Sequence, residues 1–108
     1  MGKFHSYIAS AAKLIGSYKA GKPFSLHARE FFSSDRKYGS RDRKAISSLC
    51  YAYFRLGKAC EDLPVADRIC FGLFLSENKK NELLHFFHPT LDDKAAWGLQ
   101  EKMGLLNI

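Results

Sequence analysis

Apolar residues recur along this chain at the spacing of helices. Phe4, Ile8, Ala12 and Ile15 predict an amphipathic helix over residues 4–19, and Gly21-Lys22-Pro23 stops it. Ser25 is placed to cap a second, short helix over about 26–34, with Leu26 and the pair Phe31-Phe32 facing inward. Lys37-Tyr38-Gly39 reads as a loop, and Ser40 as the N-cap of a third helix running to about Ala59. Pro64 suits the first turn of a fourth helix, residues 64–75. Its second half, Ile69 to Leu75, is apolar all round, the mark of a central buried helix. A strand is the alternative for that run, but the sequence offers no second strand to pair with it. Lys79 to Phe87 reads as a fifth helix ended by Pro89. Thr90-Leu91-Asp92-Asp93 resembles a helix-starting box. The sixth helix that follows carries Leu91, Ala95, Leu99 and Met103 on one side and is capped by Gly104. The expected architecture is all-α: one domain, a compact bundle of five or six short helices, without internal repeats or long linkers.

The third helix has two unlike faces. At 100° per residue, Asp42, Ile46, Leu49, Cys50, Tyr53, Leu56 and Gly57 fall on one side and predict a core contact. Lys44, Ser48, Tyr51, Arg55 and Lys58 fall on the other and predict a cationic stripe with a tyrosine inside it. Asp42 lies in the first turn, where a carboxylate helps a helix start. It reads as structural, bonded to backbone N–H groups or to an arginine.

Charge sharpens this picture. The 108 residues allow a modest core, and 46% hydrophobic residues with 14% aromatics exclude disorder. Net charge is +6. Residues 1–60 carry twelve Lys/Arg against three Asp/Glu, and residues 61–108 five against eight, so the balance runs from +9 to −3. The basic surface belongs to the N-terminal half, which points to a polyanionic partner. Its densest part is Arg36-Lys37-Tyr38-Gly39-Ser40-Arg41-Asp42-Arg43-Lys44, with five cations in nine residues at the start of the longest helix. Cations on a helix's first turn oppose its dipole, by ~0.3–1 kcal/mol each at low salt. A positive field beside free helix N–H groups suits a phosphate. Arg36, Lys37, Arg41, Arg43, Lys44, Arg55 and Lys58 are therefore candidate phosphate contacts. Tyr51, with Tyr38 as a second choice, is a candidate platform for an unpaired base. The plainer alternative is a solvated face with local ion pairs to Asp35 or Asp42.

Other chemistries find little support. Cys50, Cys60 and Cys70 have no CxxC spacing and read as buried free thiols in a reducing, cytoplasmic setting. Glu82-x-x-His85-x-x-His88 and His27-x-x-Glu30 read as ordinary histidines rather than metal ligands. Trp97 and the Phe pairs read as core. There is no GxGxxG, Walker or GxSxG motif, no signal peptide and no membrane-length apolar run. Met1-Gly2-Lys3-Phe4-His5-Ser6 fits the short myristoylation pattern, which is too permissive to carry weight.

The stretch Lys37–Lys58, KYGSRDRKAISSLCYAYFRLGK, resembles the helical N-terminal domain of RNA 5-methylcytosine methyltransferases of the Fmu/Sun family. The resemblance rests on Arg41-Asp42-Arg43, on the aromatic-apolar run through Tyr51, Tyr53 and Phe54, and on Arg55 closing it. It implies a NusB-like, all-α RNA-binding fold. It also implies a parent protein that uses S-adenosylmethionine to methylate ribosomal RNA, through two cysteines of a Rossmann-like domain outside these residues. Cys50, Cys60 and Cys70 follow Leu, Ala and Ile rather than the family's Pro or Thr, so no catalytic role transfers to them. The resemblance thus predicts an N-terminal piece of a longer protein. Its partners would be structured, ribosomal RNA and the catalytic domain of the same chain.

Two rivals stand beside this expectation. The same surface could be a protein docking module facing the catalytic domain or a ribosomal protein, with Arg41 and Arg43 held in salt bridges. Helices two and three, joined near Gly39, also have the length of a DNA-binding helix-turn-helix, although that motif wants base-reading side chains and usually a dimer.

Overall fold

A computed structural model describes residues 2–108. Met1, the first residue of the myristoylation pattern, lies outside the described residues. The fold is all-α, with no strand among the described residues. The helices are α1 Lys3–Ser17, α2 Phe24–Ser33, α3 Ser40–Leu56, α4 Val65–Ser76, α5 Glu82–Phe87, α6 Pro89–Asp92 and α7 Leu99–Leu106. The chain divides into two compact units, with the division after Cys50, inside α3.

In the first unit α1 buries Ile8, Ala11 and Leu14, while Phe4, Ala12 and Ile15 are only half-buried. The inner face is thus turned from the one the spacing predicts. On this face the Cys50 thiol lies 3.8 Å from the Ala11 carbonyl. Helix α2 starts at Phe24 after Pro23, two residues earlier than expected, so Ser25 lies within it rather than capping it. Ala28 and Phe32, four apart, then face inward, and Leu26 is turned to solvent. Tyr38 packs edge-on against Phe32, with ring centroids 5.3 Å apart, and pins the loop between α2 and α3.

Helix α3 begins at Ser40 itself. Its first turn is closed by Asp42, whose carboxylate accepts the Gly39 N–H at 3.1 Å. Ile46, Leu49, Cys50 and Leu56 are buried as expected, joined by Ala52. The helix stops at Leu56, short of Ala59, because Gly57 turns left-handed at φ 64°. The Gly57 carbonyl is then taken by the Arg68 guanidinium at 2.8 Å.

In the second unit α4 is the central element, packed against α5 and α7. It buries Ile69, Cys70, Gly72, Leu73 and Phe74. Gly72 is required there: a Cβ would sit 2.0 Å from the Ala52 carbonyl oxygen. Arg68 is buried too; it stacks 4.5 Å from the Tyr53 ring centroid and donates to the Tyr53 hydroxyl at 2.8 Å. Lys102 of α7 is 1% exposed and donates to the carbonyls of Phe74 and Glu77 at 2.8 and 2.6 Å, capping the end of α4. Helix α5 is shorter than predicted because Asn81 caps it, accepting the N–H groups of Leu83 and Leu84 at 3.0 and 3.1 Å. The single sixth helix of the sequence reading is two. Pro89 opens α6 rather than merely ending α5, turns follow, and α7 starts only at Leu99. Gly104 lies inside α7, and Asn107, left-handed at φ 60°, ends it.

Candidate nucleic-acid interface

The loop and first turn of α3 gather five of the candidate cations. Arg36, Lys37, Arg41, Arg43 and Lys44 are all exposed. The carboxylates nearby are already engaged. Asp35 accepts the Lys37 backbone N–H at 3.1 Å and stands 3.7 Å from its ammonium. Asp42 accepts the Tyr7 hydroxyl at 2.7 Å and the Gly39 N–H. The Tyr7 hydrogen bond, followed by the Gly39 N–H, holds the Asp42 carboxyl below the usual carboxylate range. The same bond to Asp42 pushes the Tyr7 hydroxyl above the usual phenol range. Asp42 thus bonds backbone, as the sequence suggests, and a tyrosine in place of an arginine. Among the described residues no ion pair engages Arg36, Arg41, Arg43 or Lys44. Lys37 also lies 5.1 Å from the Tyr38 ring centroid, an exposed contact that is easily exchanged.

The remaining candidates belong to the second unit. Tyr51, Arg55 and Lys58 are exposed, Tyr51 to 43%. Arg55 sits in the last turn of α3, where a cation complements the helix dipole whatever else it binds. Lys58 lies beyond the end of α3, in the turns that follow Gly57, so helical spacing no longer assigns it to a stripe. Tyr38 is half-buried, with ring partners Phe31 and Phe32, and is less available for stacking than the sequence allows.

Sequence reading missed two neighbours of the cluster. Tyr7 and Ser10, on α1, reach Asp42 and Tyr38: the Ser10 and Tyr38 hydroxyls share a hydrogen bond at 3.1 Å. Polar residues at positions 7 and 10 of an apolar helix were the available signal, three apart on one face.

Other clusters do not form a site. His85 Nδ1 is 3.3 Å from the buried Asp92 carboxylate, and His88 Nε2 is 3.3 Å from Asp67, so the two histidines turn to different partners. His27 pairs with Ser17 at 3.0 Å, and Glu30 with Lys22 at 2.7 Å. No group of three His, Cys, Asp or Glu among the described residues is placed to hold a metal ion. Burial pushes the Cys50 and Cys70 thiols up to about 12, leaving them protonated and unreactive. Cys60 is half-buried. No described helix is long and apolar enough to cross a membrane.

Comparison of the chain with protein-family models, with curated proteins and with solved structures yields no match.

Proposed function

We propose that this chain is an RNA-binding module. One observation carries the reading: four guanidinium and ammonium groups at the head of α3, Arg36, Arg41, Arg43 and Lys44, face solvent with the adjacent carboxylates already engaged elsewhere. Such groups release counterions when they meet backbone phosphates. Lys37 adds a fifth; Tyr51, Arg55 and Lys58 are separate candidate contacts of the second unit. The resemblance of Lys37–Lys58 to the accessory domain of RNA cytosine-5 methyltransferases gives the module its setting. It would help position structured, ribosomal RNA for a catalytic domain that uses S-adenosylmethionine and lies outside these residues, in the cytoplasm.

The test is a titration of a structured RNA across salt concentrations. Replacing Arg41, Arg43 and Lys44 by alanine weakens binding and reduces the slope of log affinity against log salt by about 2 to 3, at ~0.7–0.9 per lost contact. A slope that does not change removes the cluster from RNA binding.

A second reading, protein docking, has an observation of its own in the second unit. Leu99, Leu105 and Ile108 are exposed, and an open cavity of about 340 Å³ lies among Leu56, Leu75, Leu99, Met103 and Ile108. Co-purification with a methyltransferase domain, abolished by Leu99→Glu, in a chain without measurable RNA affinity would establish docking and end the RNA reading.

A further inference from the structure

A polar cleft of about 220 Å³ opens in the first unit beside the cationic cluster. Lys3, Tyr7 and Ser10 of α1, Lys37 and Tyr38 of the loop, and Asp42 of α3 line it. Its hydrogen-bonding capacity is only partly used. A carboxylate has about four acceptor positions. The Tyr7 hydroxyl and the Gly39 N–H fill two of those on Asp42. Ser10 and Tyr38 share one hydrogen bond, so whichever donates, the other keeps its proton for a ligand. Two tyrosine side chains therefore flank free acceptors and one free donor, with two exposed ammonium groups on the same lining. The volume falls below the ~300–1,000 Å³ of a pocket for a larger organic ligand and suits a single sugar ring.

We propose that this cleft holds one ribose of a bound RNA strand, with Asp42 accepting the 2′-hydroxyl proton and Lys3 and Lys37 meeting the flanking phosphates. The inference rests on the RNA reading above and deepens it, because the 2′-hydroxyl is the group by which a protein tells RNA from DNA. A carboxylate accepting a ribose hydroxyl is established chemistry in nucleotide sites. A deoxyribose brings no donor to Asp42. Lys37 is free to turn, since its contacts with Asp35 and with the Tyr38 ring are both at the surface.

The experiment is fluorescence anisotropy with a single-stranded RNA and the DNA of the same sequence, read at several salt concentrations for the whole chain. The unaltered protein binds the RNA about tenfold more tightly. Asp42→Asn brings that ratio towards one, as does Ser10→Ala combined with Tyr38→Phe, which removes the hydroxyl that donates to the 2′-oxygen; both leave the salt slope unchanged. Equal binding of RNA and DNA by the unaltered protein overturns the inference and leaves the RNA reading standing. A salt slope left unchanged in the Arg41, Arg43, Lys44 variant overturns the RNA reading instead. Should Asp42→Asn fail to fold, as a circular dichroism melt reports, the combined Ser10→Ala, Tyr38→Phe variant decides the question, because it leaves the Asp42 hydrogen bonds at the start of α3 intact. A second readout needs no polymer. Adenosine 5′-monophosphate shifts the NMR resonances of Tyr7, Ser10 and Tyr38 more than 2′-deoxyadenosine 5′-monophosphate does; equal shifts overturn the assignment.

Discussion

Gly72→Ala should destabilise this protein, although alanine is the better helix former by ~1 kcal/mol. Gly72 is buried in the middle of α4, facing the α3 residue Ala52. A Cβ added there would lie 2.0 Å from the Ala52 carbonyl oxygen, 2.6 Å from its carbonyl carbon and 3.3 Å from its Cα. Carbon–oxygen contacts settle at ~3.3 Å or more, so the two backbones must part by more than ~1 Å. No rotamer change relieves the clash, because the atoms met are backbone. A gap of ~0.5–1 Å already forfeits a quarter to a half of the dispersion between facing groups. Overpacking of a core costs ~1–3 kcal/mol when side chains can adjust, and here the cost belongs at or above the upper end. Net of the helix-propensity gain, the loss is ~2–3 kcal/mol, or a fall in Tm of roughly 10–20 °C for a domain of this size. Gly16→Ala is the control: it too is helical, has nothing within 4 Å of a new Cβ, and should raise Tm by a few degrees. Thermal melts by circular dichroism read both. A Gly72→Ala variant that melts at or above the unaltered protein would refute the close contact between α3 and α4.

Two further outcomes follow from single side chains. Lys102→Met keeps the buried stem and removes the two hydrogen bonds that close the end of α4; it should lower the free energy of urea unfolding by ~2–4 kcal/mol at neutral pH, and an unchanged midpoint would show that water replaces the ammonium. Asp42 has a folded-state pKa below its ordinary value, so its contribution is fully present above the unfolded carboxylate pKa of ~3.9 and fades as pH falls through the lower folded value. Tyr7, raised by the same bond, contributes below the unfolded phenol pKa of ~10 and loses that contribution as pH rises through its folded value. Urea unfolding from pH 2 to 6 should show the stability gap between the unaltered protein and Asp42→Asn closing with acid; a gap constant across that range would place the Asp42 hydrogen bonds in the unfolded chain as well.

The helical class was legible because the apolar positions of α3, Ile46, Leu49, Cys50, Tyr53 and Leu56, keep one period over several turns. The rotation of α1 was not. Its alternatives, Ile8-Ala11-Leu14 and Ile8-Ala12-Ile15, are both apolar at helical spacing, so the choice between them depends on tertiary packing, in which Cys50 meets Ala11. The end of α3 is not legible in the pattern, because periodicity continues through Gly57 into Lys58, whereas a left-handed glycine whose carbonyl Arg68 binds breaks the helix first. The same limit explains the divided sixth helix: Leu91, Ala95, Leu99 and Met103 keep a perfect spacing of four, but Gly98 is extended and Leu99 is 54% exposed. Asn81 and Asn107 were readable cap signals that the hydrophobic pattern overshadowed. The candidate cations were visible as composition; their freedom from ion pairs was not, since sequence proximity alone pairs Asp42 with Arg41 or Arg43.

That freedom explains a local conflict in the sequence. Arg41, Arg43 and Lys44 oppose the α3 dipole, and a single acidic residue sits among them. Had Asp42 paired with one of these cations, that cation would be held by its partner and less open to a phosphate. Its carboxylate is instead drawn away by Tyr7 and the Gly39 N–H, two uncharged donors. These donors satisfy the helix start and fix α1 to α3 without consuming any positive charge. Removing Tyr7's hydroxyl should therefore do more than loosen the packing. In Tyr7→Phe the carboxylate loses a partner, becomes free to turn to Arg41 or Arg43, and competes with phosphate for that cation. RNA affinity at low salt should then fall in a variant that still folds, and an affinity unchanged in Tyr7→Phe would show that Asp42 does not compete for these cations.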